Sequence, residues 1–280
     1  MLRFMDISVI TVSYNAASTI EQTIQSVLRQ RAHADVEYII IDGGSTDGTV
    51  ECIRQHEDAI DYWVSESDEG IYDAMNKGIR RATGDWIGII NSDDWYADAA
   101  FKHHRDVVSS CPEADVVIGQ LVLVSENRQY GRIVDPPTLP YHCLKSNNHP
   151  ATIVRRSVYE DVGSFDLSYP LAADLDFLMR VQAHPNMTIY RCLEPFTYMR
   201  LGGASYGFRG MYESGRVEAK HRGALQGAKV WALKSMYKAR RWLAHKLLPR
   251  PVFDRFRKAK WRHDAGHTRR IEASSEKNPS

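Results

Sequence analysis

Short, nearly continuous apolar runs that stop at polar or acidic residues recur through the first hundred positions. The runs 7–12 (ISVITV), 36–41 (VEYIII) and 86–90 (WIGII) are rich in β-branched residues, which predicts strands covered on both faces of a sheet. Between them the spacing lengthens. Ile20, Ile24, Val27 and Leu28 fall at i, i+4, i+7 and i+8, one face of a helix beginning near Thr19, with Ser18 and Glu21 spaced as a capping box. Helical spacing resumes at Val50 and Ile53, and again at Ile71, Ala74, Met75, Gly78 and Ile79 after a short strand at 61–65. Strands alternating with helices predict an α/β domain whose central sheet is mixed, mostly parallel and flanked by helices. Further on, 97–109 reads as a helix, 115–124 as a strand, Ser157 and Glu160 as a second capping box, and Leu175, Leu178, Met179 and Val181 as a helix starting near Asp174. A strand at 187–199 then meets a glycine-rich turn, 200–205.

Composition narrows the class only a little. A chain of 280 residues with 43% hydrophobic and 25% charged residues can build one sizeable core, or a domain with an appendage. A formal net charge of +1 argues against a dedicated nucleic-acid binder. Cys52, Cys111, Cys143 and Cys192 form no C-x-x-C pair, so neither a zinc site nor a disulfide framework is expected, and a reducing cytosol fits. The opening MLRFMDISVITVSYN has too short an apolar run for a signal peptide, and no stretch of about 18 apolar residues follows, so a cytoplasmic chain is expected.

Charge is uneven along the chain. From Lys229 onward Trp231, Leu233, Met236, Tyr237, Trp242, Leu243, Leu247 and Leu248 interleave with Lys234, Lys238, Arg240, Arg241 and Lys246, until Pro249 and Pro251 interrupt. This is the composition of amphipathic helices lying on an anionic membrane, and equally of a docking helix with a solvated basic face. The expected organisation is a domain over 1–226, a basic helical extension over 227–265 and a disordered tail over 266–280.

Candidate chemistry gathers where the strands end. The 86–90 run stops at Asn91, Ser92, Asp93 and Asp94, and the 36–41 run at Asp42-Gly43-Gly44-Ser45-Thr46-Asp47-Gly48. Ligands of open parallel sheets bind at the carboxyl edge, where adjacent aspartates attract a hard cation or a hydroxyl proton; the plain alternative is an Asx turn. The glycines lack both G-x-G-x-x-G and P-loop spacing, so they mark a tight βα turn. Asp42 there either accepts a hydrogen bond from a base or ribose, or stays within the turn. Asp68 and Lys77 flank the third helical stripe and face either a cleft or water. Asp174 and Asp176 open a helix, a place the helix dipole alone favours for acids.

Together TVSYN at 11–15, IIIDGGSTDGT at 39–49 and SESDEGIYDAMNKGIRRATGDWIGIINSDD at 65–94 resemble the family 2 glycosyltransferases of GT-A fold, those of bacterial polysaccharide and glycolipid synthesis in particular. The resemblance spans roughly residues 5 to 210 and rests on the order of the motifs. It implies inverting transfer of a sugar from a nucleotide diphosphate, UDP first, to a hydroxyl of a saccharide or lipid-linked acceptor, with Mg2+ or Mn2+. On the matching positions Thr11, Ser13, Tyr14 and Asn15 resemble the first nucleotide loop, Asp42 the acid that meets the base, and Ser45 and Asp47 its flank. Asp68 and Lys77 resemble nucleotide or phosphate contacts. Asn91, Ser92, Asp93 and Asp94 resemble the D-x-D-D segment with its first acid replaced by Asn; Asp93 and Asp94 are the implied metal carboxylates. His149 lies where the family often has a histidine beside the acceptor cleft. Asp174 resembles the catalytic base of an E-D-x-D segment whose Glu is Ala173 here, Asp176 a supporting residue, and Arg200 and Arg209 phosphate contacts of a closing loop.

Two rivals follow from the same residues. A sugar nucleotidyltransferase shares the architecture but calls for a G-x-G-T-R loop after the first strand, where this chain has Ser-Tyr-Asn-Ala-Ala. A nucleotide-binding, membrane-tethering protein without catalysis would keep the loops and not need Asp174.

Overall fold

The computed structural model of the protein describes residues 6–124, 131–137, 149–200 and 208–247. Its first half alternates as expected: β1 (Asp6–Ser13), α1 (Ile20–Arg29), β2 (Asp35–Asp42), α2 (Thr49–Arg54), β3 (Tyr62–Ser65), α3 (Ile71–Arg81) and β4 (Trp86–Asn91). The second half is β5 (Trp95–Tyr96), α4 (Ala100–Ser110), β6 (Val116–Val124), β7 (Gly131–Val134), β8 (Thr152–Arg155), α5 (Arg156–Val162), α6 (Ala173–Ala183), β9 (Ile189–Arg200), α7 (Phe208–Arg222) and α8 (Ala224–Leu247).

One sheet runs β3-β2-β1-β4-β8-β6-β9-β5, with β7 beside β6. The β3, β2, β1 and β4 strands are parallel, so all four deliver their carboxyl ends to one edge. The register aligns them: Ser13 faces Asp42, Asp42 faces Ser65, and Val12 faces Asn91. Beyond β4 the pairing turns antiparallel through β8, which also pairs antiparallel with β6, and β6 then runs parallel with β9.

Each face of the sheet carries its own core. On one side α3, α6 and the early part of α5 pack Tyr72, Met75, Leu175, Phe177 and Val158 on Ile10, Val12, Ile39 and Ile89, and Val217 of α7 and Val230 of α8 join them. On the other, Ile20, Ile24 and Val27 of α1 and Phe101 of α4 cover Val9, Tyr38, Ile40 and Ile90. Gly78 is what lets α3 lie down on β1, since a Cβ there would collide with the Cγ2 of Ile10.

Both expected capping boxes are absent. The N-cap of α1 is Thr19, which makes no side-chain cap bond, and Glu21 instead meets Nε2 of His56 at 2.6 Å. Ser157 lies inside α5, and Glu160 pairs with Arg156 one turn back at 2.7 Å. In both segments a nearby basic side chain takes the glutamate that the spacing assigned to the cap. The 226/227 boundary falls within α8, whose start packs on α7: a Cβ on Gly215 would lie 3.2 Å from the carbonyl oxygen of Gly227. The glycine-rich turn at 201–205 and the tail at 266–280 lie outside the described residues, and no described helix is long and apolar enough to cross a membrane.

Candidate functional site

The carboxyl edge is built from the strand ends inward. Asp42, the last residue of β2, has no exposed surface, and five donors converge on its carboxylate. Ser13 Oγ (2.9 Å) and Ser45 Oγ (2.6 Å) meet Oδ1, while Ser65 Oγ (2.7 Å) and the amides of Gly44 (3.1 Å) and Ser45 (2.8 Å) meet Oδ2. Burial pushes this carboxyl up, but the hydrogen bonds outweigh it and hold Asp42 below the usual range. A carboxylate has about four lone-pair sites, so this one has no capacity left for a nucleotide base. In this arrangement Asp42 ties the ends of β1, β2 and β3 together. The Thr11 hydroxyl is likewise engaged, buried 3.1 Å from that of Tyr38, and Ser13 serves Asp42.

The two loops leaving this row are laced to each other. The amide of Asn15, at a left-handed φ of 49°, donates to Ser45 Oγ at 2.7 Å, and Asn15 Oδ1 accepts from the Thr46 amide at 3.0 Å. Asp47 accepts from the amides of Ala17 (3.1 Å) and Thr49 (3.1 Å) and from the Thr49 hydroxyl. Thus Asn15, Ser45 and Asp47 shape the loops, and Tyr14, 67% exposed, is the side chain they present. Beside Tyr14 the backbone of Gly43 touches Asp68; a Cβ on Gly43 would sit 2.6 Å from Asp68 Oδ2 and 3.4 Å from the Tyr14 ring. Asp68 Oδ1 accepts from the Gly70 amide that leads into α3.

Lys77 lies about two helical turns farther, in a groove between the edge strand β3 and α3 lined by Ile41, Tyr62, Val64, Glu66, Arg80 and Arg81. Its ammonium is 2.9 Å from Glu66 and 3.5 Å from Asp73, and the bond to Glu66 holds it above the ordinary lysine range. Any anion drawn to Lys77 must compete with Glu66.

At the end of β4, Asn91-Ser92-Asp93-Asp94 makes a turn closed by the Asp94 amide on the Asn91 carbonyl, while the Ser92 amide continues the sheet to Val12. Asp93 and Asp94 part company here. Asp94 is 1% exposed; its Oδ2 accepts from Asn91 Nδ2 (3.1 Å), its Oδ1 from the Arg200 amide (3.2 Å), and its carbonyl from Thr23 (2.6 Å). It braces the turn, and Asp93 is the carboxylate with surface left. Burial raises both carboxyls, and the charge of Asp93 raises Asp94 further. Asn91 Oδ1 is buried with no hydrogen-bond partner among the described residues. An orphaned amide oxygen beside a desolvated carboxylate suits a hard cation, which would reverse the cost of ionising Asp93. Among the described residues no three His, Cys, Asp or Glu side chains gather at metal-ligand spacing. Arg200, at the end of β9, reaches into this turn through the Asp93 carbonyl (2.8 Å) and Gln22 (2.6 Å) and stacks over Trp95.

Asp174 approaches the same edge from the α3 and α6 layer. It sits in the first turn of α6, where Oδ1 accepts from the Tyr72 hydroxyl at 2.8 Å and from the Leu175 amide at 2.9 Å. Tyr72 opens α3 two residues past Gly70, so Asp174 is joined to the loop that follows β3. His149, half-buried, packs edge-on to Phe165; burial lowers its imidazole's affinity for a proton, and the charge of Asp174 opposes that. Glu213 of α7, 3% exposed, accepts from the Leu171 amide at 2.6 Å just ahead of α6. Arg209 is mostly exposed and pairs with Glu213 at 3.3 Å. Asp176, expected as a supporting residue, is fully buried and bonded to Arg180 (2.8 Å), Lys220 (2.9 Å) and His221 (2.9 Å), clamping α6 to α7.

Tyr72, Ser65 and Glu213 are site residues that sequence reasoning missed. Tyr72 stands inside an apolar helical stripe, where an aromatic reads as core. Glu213 belongs to a helix for which no apolar periodicity had been noticed.

Comparison with known proteins gives this geometry relatives. The family profile described as Glycosyl transferase family 2 matches residues 8–162. The chain is similar to an uncharacterised glycosyltransferase of Mycobacterium tuberculosis, 32% identical over 67% of this chain and 72% of that one. It is similar also to a PGL/p-HBAD biosynthesis glycosyltransferase of Mycobacterium bovis, 29% identical over 71% of this chain and 78% of that one. Among solved structures, the mannosyltransferase PcManGT of Pyrobaculum calidifontis, in complex with GDP-Man and Mn2+, superposes with a TM-score of 0.58 at 18% identity. That alignment covers 93% of this chain and 80% of that one, and it carries the GT-A fold.

Proposed function

The chain belongs to glycosyl transferase family 2, and from that premise we propose that it moves a sugar, with inversion, from a nucleotide diphosphate to a hydroxyl of a saccharide or lipid-linked acceptor. One observation carries the reading: the Asn91–Asp94 turn and Asp174 reach the same sheet edge from opposite layers, leaving the strand ends between them.

The donor lies across the ends of β1, β2 and β4, its nucleotide against Tyr14 and the Gly43–Asp68 contact. Asp42 holds the floor of that pocket in shape without touching the base. Mg2+ or Mn2+, bound through the Asp93 carboxylate and Asn91 Oδ1, would supply positive charge against the diphosphate as the glycosidic bond breaks, with donor phosphates and water completing its shell. The Arg200 guanidinium, fixed to the Asp93 carbonyl, adds charge of the same sign. Asp174 accepts the proton of the acceptor hydroxyl as that oxygen attacks the face opposite the nucleotide. A single displacement inverts the anomeric centre and needs no covalent intermediate.

An acceptor built on a lipid would place the reaction at the cytosolic face of a membrane, and α8 has the surface for it. Between 224 and 247 it holds no acidic residue, and Leu225, Met236, Lys229 and Arg240 recur along one exposed line of the helix. The relative named for PGL biosynthesis supports a glycolipid acceptor.

The test is a screen of UDP- and GDP-sugars, UDP-sugars first, for release of nucleoside diphosphate by the full chain with Mg2+ or Mn2+. Asp174→Asn is expected to lower kcat by roughly 100-fold or more while donor binding persists, and Asp93→Asn to weaken metal-dependent donor binding. Turnover indifferent to Asp174→Asn would refute the assignment and favour a nucleotide-binding role without catalysis.

A further inference from the structure

We propose that Tyr72 is a positioning residue for the catalytic base: its hydroxyl holds Oδ1 of Asp174 and so sets the direction in which the carboxylate faces the acceptor. The inference rests on the assignment of Asp174 above and adds to it a residue outside every strand-end motif.

The geometry is specific. The Tyr72 hydroxyl donates to Asp174 Oδ1 at 2.8 Å, and the Leu175 amide donates to the same oxygen at 2.9 Å, so donors from two helices restrain one oxygen of the carboxylate. The Tyr72 ring cannot swing away. It is 8% exposed and packs against Phe165 with centroids 5.3 Å apart, and Phe165 is itself pinned at both backbone groups by the buried Asn76 side chain (2.8 and 3.0 Å). A second brace acts on the approach to α6, where Glu213 holds the Leu171 amide three residues before Asp174.

Among the described residues, Tyr72 of α3 bonds Asp174, His149 from the turn ahead of β8 feels its charge, and Glu213 of α7 acts on Tyr72 and on the Leu171 amide. Burial and then the charge of Asp174 push the Tyr72 phenol well above its ordinary value, with Glu213 adding to this, so the hydroxyl keeps its proton and remains a donor.

Tyr72→Phe removes the hydroxyl and keeps the ring. In the full chain, with the donor found by the screen, kcat should fall about tenfold while donor KM stays put. Phe165→Leu loosens the same packing without touching the hydroxyl; it should lower the melting temperature and leave kcat largely unchanged. An unchanged kcat in Tyr72→Phe, or one lowered equally by Phe165→Leu, overturns the positioning role. Asp174→Asn, assayed in parallel, separates the failures: transfer that survives it removes the base assignment and this inference with it, whereas transfer lost in Asp174→Asn beside an unchanged kcat in Tyr72→Phe removes this inference alone.

Discussion

Nε of Arg200 lies 2.8 Å from the carbonyl oxygen of Asp93, although 107 positions separate the two residues in the chain. The end of β9 thereby fixes the turn that carries the partly exposed Asp93 carboxylate, and the Arg200 amide fixes the neighbouring Asp94. Arg200 is thus a structural tie to the turn as well as a cation beside it.

Replacing Arg200 with Ala removes the side-chain ties to Asp93 and Gln22 together. Hydrogen bonds from a charged group contribute about 1.5–3 kcal/mol, so donor KM should rise at least about tenfold, and more Mg2+ or Mn2+ should be needed for half-maximal rate. Steady-state kinetics over a metal titration read both. Arg200→Lys should recover only part of the loss, because an ammonium cannot span the Asp93 carbonyl and Gln22 as a planar fork does.

Asp94 gives a stability prediction with a definite sign. Burial, reinforced by Asp93, raises its folded carboxyl above the unfolded value, so the folded state holds the proton more tightly. The stability this provides is complete below the ordinary carboxylate range and is lost as pH climbs through the raised value. Asp94→Asn, uncharged at every pH, should therefore melt higher than the parent at pH 7 without added metal, by about 3 °C per kcal/mol relieved. The gap should close as the pH approaches 4. Thermal melts at a series of pH values decide it.

The exposed face of α8 predicts binding to anionic vesicles. Lys229→Glu with Arg240→Glu should abolish sedimentation with phosphatidylglycerol liposomes, since each basic residue near such a surface contributes about 1 kcal/mol, and donor turnover in solution should be unchanged. Deleting the chain from Lys229 is the poorer test, because Val230 is 5% exposed in the same core as α3 and α6. Sedimentation unaffected by the charge reversals would point to a protein partner for this face.

The parallel half of the fold was legible because a doubly covered strand must be apolar throughout and must stop where the chain leaves the sheet. Residues such as Ile39–Ile41 and Ile87–Ile90 leave little choice, and Asp42 and Asn91 mark the ends. The antiparallel half was legible only where its strands are long, at 115–124 and 187–199, which are β6 and β9. The β5 and β8 strands have two and four residues, too few for a period, and 153–166 was read through its capping spacing, which proved accidental. At the site, sequence found which residues reach the edge but not which way they turn. Asp42 ends β2 and Asp93 lies in the turn just past β4, yet one is enclosed by five donors and the other is not. The Tyr72 hydroxyl meets a carboxylate 102 positions away, a relation no local pattern encodes.

The buried Asp176 clamp also bears on how the chain could sit on a bilayer. Parting α7 from α6 would take Lys220 and His221 away from that buried carboxylate and leave it to Arg180 of its own helix, a loss that disfavours the separation. The hairpin of α7 and α8 is therefore no tether that pivots. A protein resting on lipid through α8 would be docked like a keel, with the mouth of the cleft aimed at one constant tilt and height, and the acceptors it could reach would be graded by how far their terminal sugar stands above the headgroups.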